Sequence, residues 1–380
     1  MSRTSNGESS IYQAADGRWH GYVSMGAKRN GQRDRRHVTG RRRSDVVRKV
    51  RALEDVRDAG VVLTEGKAPS AAQWLMHWLE TIAVSRLRPR TVEGYRSNIE
   101  LHLLPHLGHH RLDRLQPEHL ETCYRDLLAQ GLSPATVLVN HRIISRALKV
   151  AMQRGRVARN VAALVDPPRV TKPELTPLTA GEARSVLAAA AGVANSARWS
   201  VALALGLRQG EALGLLWRDV DLTQGTLTVR RALQRQKGKG LVLVEPKSRA
   251  GVRTVALPGA LRDALREQRA RQAEQREIAG DVYEDGGFVF AQPNGRPFGA
   301  RQDWEAWKRL LSRAGVRDVR LHDARHTAAT LLLAQGVDVR IVMQLLGHSQ
   351  ISMTMHYTHA VPELAREAAA RMNAALWDAP

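Results

Sequence analysis

The segment that decides how this chain reads begins Leu321-His322-Asp323-Ala324-Arg325-His326-Thr327. It passes through Leu346-Gly347-His348-Ser349 and ends Met355-His356-Tyr357-Thr358-His359. Between these polar clusters lie the apolar runs Leu331-Leu332-Leu333-Ala334 and Ile341-Val342-Met343-Gln344-Leu345-Leu346. Their spacing predicts three adjacent helices. Titratable groups set against buried faces cost free energy unless they are paired or serve a ligand, so the segment reads as a site. What that site handles has to come from the rest of the chain.

Lysine and arginine number 58 against 37 aspartates and glutamates, a formal net charge of +21 over 380 residues. A field of that sign favours a polyanion and makes binding salt-dependent, which points to nucleic acid without defining an activity. The length calls for two or three domains, and a hydrophobic fraction of 43% is enough for packed cores. The single cysteine, Cys123, excludes an intramolecular disulfide framework and a multi-cysteine zinc site. No apolar run approaches a membrane span, and Met1-Ser2-Arg3-Thr4-Ser5-Asn6-Gly7-Glu8 is not a signal peptide. The expectation is a soluble, cytoplasmic protein with no membrane partner.

Three regions are expected along the chain. In residues 1–65, Tyr12, Trp19, Tyr22 and Val23 suit strands, and Asp16-Gly17 and Asn30-Gly31 supply turns. A third strand at residues 33–39 and a helix from Ser44 to Asp58 complete a three-stranded sheet with one helix. With Arg29, Arg33, Arg35, Arg36 and Arg41 to Arg43, it reads as a small DNA-binding module or as a basic, solubilising domain. Residues 60–69 read as a linker.

Residues 66–168 are predicted to form a helical bundle. Ala72, Leu75, Met76, Leu79 and Ile82 share one face, with Trp74 and Trp78 beside it. Further helices start at Pro89, Pro117 and Pro134, where the missing N–H of proline is not needed. Arg86, Arg88, Arg90, Arg96, Arg142, Arg146, Lys149 and Arg154 give the bundle a phosphate-facing surface or a solvated one. The proline-rich stretch 160–177 is an extended connection.

Residues 169–380 form a mixed α+β domain. Thr179 opens a helix, a buried helix follows at 197–207, and residues 213–217 continue helical. Strands are expected at 226–229, 241–244 and 253–257, with Lys237-Gly238-Lys239-Gly240 as a turn and Lys247 at a hairpin tip. Helices are expected at 261–278, 304–314 and, as a tail, 362–375. The fold class is mainly α with small β.

Nucleotide-phosphate loops are absent: neither G-x-x-x-x-G-K-[ST] nor G-x-G-x-x-G after a strand occurs. His322 and His326, four apart on a helix, resemble half a zinc site, but Asp323 stands where H-E-x-x-H has glutamate and no third ligand is suitably spaced. No metal or cofactor is expected. Residues 338–346 and 350–358, flanking Gly347-His348-Ser349, have the outline of a helix-turn-helix, though Ile351-Ser352-Met353-Thr354-Met355 suits a buried helix better than a reading one.

The remaining reading uses arginine. Leu205-Gly206-Leu207-Arg208-Gln209-Gly210-Glu211 puts Arg208 in a bend between apolar helices, where Glu211 either orients it for an anion or forms a purely structural pair with it. Arg208 and Arg325 together can clamp the non-bridging oxygens of a phosphodiester and oppose the charge of a pentavalent transition state. Tyr357 offers an oxygen nucleophile. Its ordinary pKa near 10 makes the phenolate cost roughly 4 kcal/mol at neutral pH, so a base or cationic field is needed, with His322 and His348 as candidates. The departing 5′-hydroxyl needs a proton donor, and Lys247 suits that role.

Arg208 in Gly-Leu-Arg-Gln-Gly-Glu, Lys247, His322-x-x-Arg325, Leu-Gly-His348 and Tyr357 occur in the order and approximate spacing of the tyrosine recombinase (phage integrase) family. The chain is identified as resembling that family over residues 175–360, with His348 at a position that is histidine or tryptophan in the family. The helical region resembles the family's core-site-binding domain and the N-terminal region its arm-site-binding domain. The resemblance implies an integrase that cleaves and religates double-stranded DNA through a covalent 3′-phosphotyrosine, integrating and excising a phage or mobile element. It implies a tetramer on DNA, acting at core and arm attachment sites, and allows for a directionality factor and a host DNA-bending protein. A C-terminal helix packing on a neighbouring protomer is a further family trait; packing on its own domain fits the pattern equally.

Overall fold

Alternation at the N-terminus produces three antiparallel strands, β1 (Ser10–Gln13), β2 (Trp19–Ala27) and β3 (Arg33–Gly40), in the order β1-β2-β3. Val23 on one face of β2 packs with Val46 and Val50 of α1 (Arg43–Asp58). The other face carries Tyr12, His20, Tyr22 and His37 in a stacked ladder, with the Arg35 guanidinium 4.4 Å from the Tyr22 ring centre. The computed structural model describes residues 9–27, 33–58, 68–171, 176–246, 248–348 and 350. The expected Asn30-Gly31 turn, Arg29, most of the 60–69 linker and the 362–375 tail helix lie outside the described residues.

The chain divides into two compact units, Met1–Lys172 and Pro173–Pro380. In the first, Ser70 and Gln73 form a reciprocal capping box that starts α2 (Ala71–His77), and a wider π-helical turn continues it through Trp78–Ala83. Next come α3 (Pro89–Asn98), a second π-helical turn Ile99–Leu103, α4 (Leu104–Leu107), α5 (Pro117–Ala129) and α6 (Pro134–Gln153). Trp74 and Trp78 lie inside the bundle core rather than beside it, while Met76 and Ile82 are only partly buried. The indoles carry the larger apolar area, and Trp74 Nε1 finds a partner inside by donating to the Ala147 carbonyl at 3.0 Å. Cys123 is a core residue whose thiol burial pushes up to about 12, which makes it inert. Arg96 is committed to Glu80 and Glu100, so it is a paired surface group.

The second unit starts with α7 (Ala180–Ala190), capped reciprocally by Thr179 and Glu182, then α8 (Ala197–Ala204) and α9 (Gln209–Leu213). The expected helical continuation to Trp217 does not occur. Gly214 ends α9 against the backbone of β6 (Ala232–Gln236), where a Cβ would come within 2.8 Å of the Leu233 nitrogen. Leu216 then bridges to Phe288.

Strands β4 (Val220–Asp221), β5 (Thr226–Val229) and β8 (Arg253–Ala256) form one antiparallel sheet, and β6 pairs with β7 (Gly240–Val244) in a separate hairpin. Lys247, expected at a hairpin tip, lies outside the described residues. The hairpin tip is at Lys237–Lys239, and because β7 pairs with β6 while β8 pairs with β5, the segment between β7 and β8 is a connection between two sheets. The helices α10 (Gly259–Ala279), α11 (Ala300–Arg313), α12 (Asp323–Ala334) and α13 (Val339–Leu346) complete the described part. On α10, Gln268 and Gln272 are buried within an Arg/Gln/Glu-rich run, and both amides donate to the Val289 carbonyl. Among the described residues no helix is long and apolar enough to cross a membrane.

Candidate active site

The site is built around the end of α13. Asp338 caps the start of this helix, accepting from the Arg340 N–H, and Gly347 ends it in the left-handed region at φ +66°. The Gly347 N–H returns to the Gln344 carbonyl and the His348 N–H to the Met343 carbonyl, a Schellman termination. That leaves the carbonyls of 345, 346 and 347 for other donors.

Three arginines from three separate segments take them. Arg253 Nε donates to the Leu345 carbonyl at 2.6 Å, Arg325 Nη2 to Leu346 at 2.6 Å, and Arg208 Nη2 to Gly347 at 3.3 Å. The negative end of a helix dipole favours cations there. Gly347 has to be glycine twice over. Its φ suits no Cβ, and a Cβ would also meet Arg253 Nη1 at 2.8 Å and the Ala250 oxygen at 2.9 Å.

Each arginine is fixed at a second point. Arg208 is the cap residue of α9; its N–H donates to Glu211 Oε2 at 3.1 Å and its Nη1 to Glu211 Oε1 at 2.6 Å. Arg253 Nη2 reaches Glu211 Oε2 at 3.0 Å, so one carboxylate serves two guanidiniums. Arg325 Nη1 donates to the Gly206 carbonyl at 2.8 Å. Gly206, at φ +60°, brings the α8–α9 junction close enough for this, since a Cβ there would meet Leu346 Cδ2 at 2.6 Å. The start of α9 is held from below by a buried network. Arg198 makes two bonds to Asp303, at 3.0 and 2.9 Å, and Gln209 donates to the same carboxylate at 3.0 Å.

Burial alone would raise the carboxyl of Glu211, but Arg253 and Arg208 outweigh it and hold Glu211 below the ordinary glutamate value. His322, at the cap position of α12, is lowered by burial and by Arg325. His348 is pushed down to about 4 by burial and then by Arg325, Arg208 and Arg253. His326 is also lowered to about 4, by burial and by His322, whose ring it meets edge-on at 4.9 Å. All three imidazoles are therefore neutral at pH 7. Arg208 and Arg253 share the one Glu211 carboxylate, and Arg208 is the most open of the three arginines at 38% side-chain exposure. That excess of positive charge beside neutral histidines suits a phosphate group.

Of the residues expected from sequence, Arg208, Glu211, His322, Arg325 and His348 come together here. Lys247 and Tyr357 lie outside the described residues. The bend around Gly347-His348 is buried and its carbonyls engaged, which does not suit the solvent-facing turn of a helix-turn-helix reader. Arg253 was not singled out in the sequence. A signal was there: it stands two residues before Val255, and alternate strand residues share a face, so Arg253 points the way the core residue points.

An arginine cluster suited to a phosphate, on a mixed α+β domain that follows a helical bundle in the sequence, fits a DNA-processing protein, and comparison with known proteins gives its family. Residues 177–363 match the phage integrase family, and residues 72–128 the N-terminal SAM-like domain of phage integrases. An integrase of Saccharopolyspora erythraea is 39% identical over 99% of this chain and 98% of its own length. A XerC-like tyrosine recombinase of Caldanaerobacter subterraneus subsp. tengcongensis is 29% identical over 92% of this chain and 94% of its own.

The same fold occurs in the Tn1549 transposon integrase, solved with a circular intermediate DNA, at a TM-score of 0.67 and 22% identity over 80% of this chain and 100% of that one. It occurs again in lambda integrase, solved as a tetramer on a Holliday junction, at a TM-score of 0.57 and 17% identity over 91% of this chain and 94% of that one. The chain belongs to the phage integrase family and is a tyrosine-type site-specific DNA recombinase of the kind that integrates mobile elements.

Proposed function

We propose that Arg208 and Arg325 bind the scissile phosphodiester of a core attachment site while Tyr357 attacks phosphorus. The observation that carries this is the convergence of Arg208, Arg253 and Arg325 on three consecutive carbonyls beside two neutral histidines. The Tyr357 oxygen bonds to phosphorus, the bond from phosphorus to the 5′-oxygen breaks, and the DNA is held as a 3′-phosphotyrosine. The phenolic proton passes to a neutral imidazole, His322 or His348. Lys247 gives a proton to the departing 5′-oxygen. Glu211 keeps Arg208 extended toward the phosphate. Arginine charge opposes the charge that grows on the non-bridging oxygens.

Residues 169–380 are then the catalytic domain with its C-terminal tail, residues 66–168 grip the core site, and residues 1–65 bind the arm site. The partly exposed ladder of Tyr12, Tyr22 and His37 under Arg35 supports the last assignment, since stacked rings with a guanidinium suit a DNA-contacting face. The lambda integrase tetramer supports assembly of four protomers on DNA. The setting is cytoplasmic, where a directionality factor and a host DNA-bending protein have access to the same DNA.

A core-site duplex nicked near the cleavage point tests the chemistry. The wild-type chain should trap a covalent protein–DNA adduct and Tyr357→Phe none. An adduct with Tyr357→Phe rejects the nucleophile assignment, and binding without adduct by the wild type leaves a DNA-binding regulator as the better reading.

A further inference from the structure

Glu211 would be an incomplete device with Arg208 alone. Its side chain is 6% exposed, and a carboxylate buried that deeply stays ionised only where opposing charge and hydrogen bonds offset its desolvation. Arg253 supplies the second charge from the start of β8, and its own side chain is 7% exposed. Unlike Arg208, Arg253 has all three of its guanidinium nitrogens engaged inside the protein: Nε with Leu345, Nη1 with Gly251 at 3.2 Å, Nη2 with Glu211. Three of its five N–H groups are committed inside the protein, and its burial keeps the rest away from an arriving phosphate. Its bonds instead join three pieces of chain: the cap of α9 that carries Arg208, the end of α13 that leads to His348, and the β7–β8 connection that contains Lys247.

We propose that Arg253 is a positioning residue for strand cleavage: by bridging Glu211 and the Leu345 carbonyl it locks α9 against the end of α13, so that Arg208 and Arg325 face one phosphate. The inference rests on the catalytic reading given above. It explains why a third arginine is buried where two would suffice for charge. A planar guanidinium holds its Nε and Nη2 donors on a carbonyl and a carboxylate in one fixed geometry, which the compact ammonium of lysine does not reproduce.

The test uses the full-length chain and the nicked core-site duplex, with single-turnover cleavage and DNA affinity measured separately. R253M and R253K should both bind the duplex like the wild type and cleave it about tenfold to a hundredfold more slowly, as expected for misplaced groups in a preorganised site. Because Arg253 acts through Glu211, the losses in R253M and E211Q should overlap in the double variant rather than multiply. The acid limb of the cleavage profile should also move to higher pH in R253M. Arg208 and Arg253 are the charged groups facing Glu211, Arg325 lies across the neighbouring carbonyl, and removing Arg253 leaves burial to raise the Glu211 carboxyl.

If R253M does not fold, R253K carries the same test, since it keeps the charge but loses the two-ended bridge. Wild-type rates in both folded variants, or losses that multiply with E211Q, overturn the inference. A wild-type chain that traps no adduct, or R208K that cleaves normally, overturns the catalytic reading itself. An active wild type and an impaired R208K beside an unimpaired R253K reject the role of Arg253 alone.

Discussion

Arg325 donates to the Leu346 carbonyl at 2.6 Å from a side chain only 2% exposed. Its guanidinium also donates to the Gly206 carbonyl at 2.8 Å, so backbone dipoles at the end of α13 and at the α8–α9 junction help to hold its charge. Carbonyl dipoles hold the guanidinium in place without cancelling its charge, which suits it to an arriving anion.

Arg325→Lys should therefore weaken both fold and reaction. A single ammonium at the end of a flexible stem cannot reproduce the fork that bridges Gly206 and Leu346, and losing a charged hydrogen bond costs about 1.5–3 kcal/mol. Thermal unfolding should show that loss. Cleavage of the nicked duplex should fall about a hundredfold or more, the scale of removing one donor from a preorganised anion site. Unchanged cleavage by a folded Arg325→Lys would remove Arg325 from the chemistry.

Gly347→Ala tests the turn on which the arginines meet. A left-handed residue with a Cβ costs about 1–2 kcal/mol, and here the Cβ would also press on Arg253 Nη1 and the Ala250 oxygen. The expected result is a lower melting temperature together with a cleavage loss larger than the melting change explains. Gly336→Ala, at φ +75° with open space around its Cβ position, is the control: it should lose stability by a similar backbone term and keep its cleavage rate.

Much of this was legible in the chain. Arg208, Glu211, His322, Arg325 and His348 lie in short motifs whose order is informative. Prolines and capping pairs such as Thr179 with Glu182 marked helix starts that the structure keeps. What was not legible depends on pairing between distant segments. Strand propensity at 241–244 and 253–257 does not say which strand each joins, and the structure pairs the first with β6 and the second with β5. The end of α9 at Leu213 was hidden because Gly214 responds to β6, a partner far along the chain. Arg253 was passed over for the same reason: its partners are 42 and 92 residues away.

Acid should destabilise the second unit in a defined window. His348 and His326 are held at about 4 in the folded chain, against about 6.5 for an unfolded histidine. Between those values the unfolded chain binds protons that the folded one does not, so stability rises with pH there. The contribution of these histidines is fully present above pH 6.5 and is lost as pH falls toward 4. Chemical denaturation from pH 7.5 to 4.5 should show this slope, and His348→Gln should flatten it by about one proton's worth. An unchanged slope in His348→Gln would mean that another group titrates.

Deleting residues 1–65 separates arm binding from chemistry. Cleavage of an isolated core site should persist, because the helical bundle, with its core of Trp74, Trp78, Leu120 and Ile144, and the arginine cluster are both retained. Integration between full attachment sites, measured on plasmids carrying both arm and core sequences, should drop sharply. Loss of both activities in a folded deletion would show that residues 1–65 serve core-site cleavage instead.

The role of Lys247 can be isolated by changing the leaving group rather than the enzyme. A departing 5′-hydroxyl is a poor alkoxide and needs a proton, whereas a 5′-thiol leaves as a thiolate with a pKa low enough to need none. Lys247→Ala should therefore slow cleavage of the ordinary nicked duplex strongly, by about two to four orders of magnitude if general-acid catalysis is its contribution. It should have little effect on the duplex bearing a 5′-bridging sulfur. The connection between β7 and β8 makes the comparison necessary, because Lys247 lies six residues before Arg253 and a substitution there could also disturb the bridge to Glu211. A disturbed bridge would slow both substrates equally, since arginine placement matters whichever atom departs. Equal slowing thus assigns Lys247 to positioning, and selective slowing of the oxygen substrate assigns it to proton transfer.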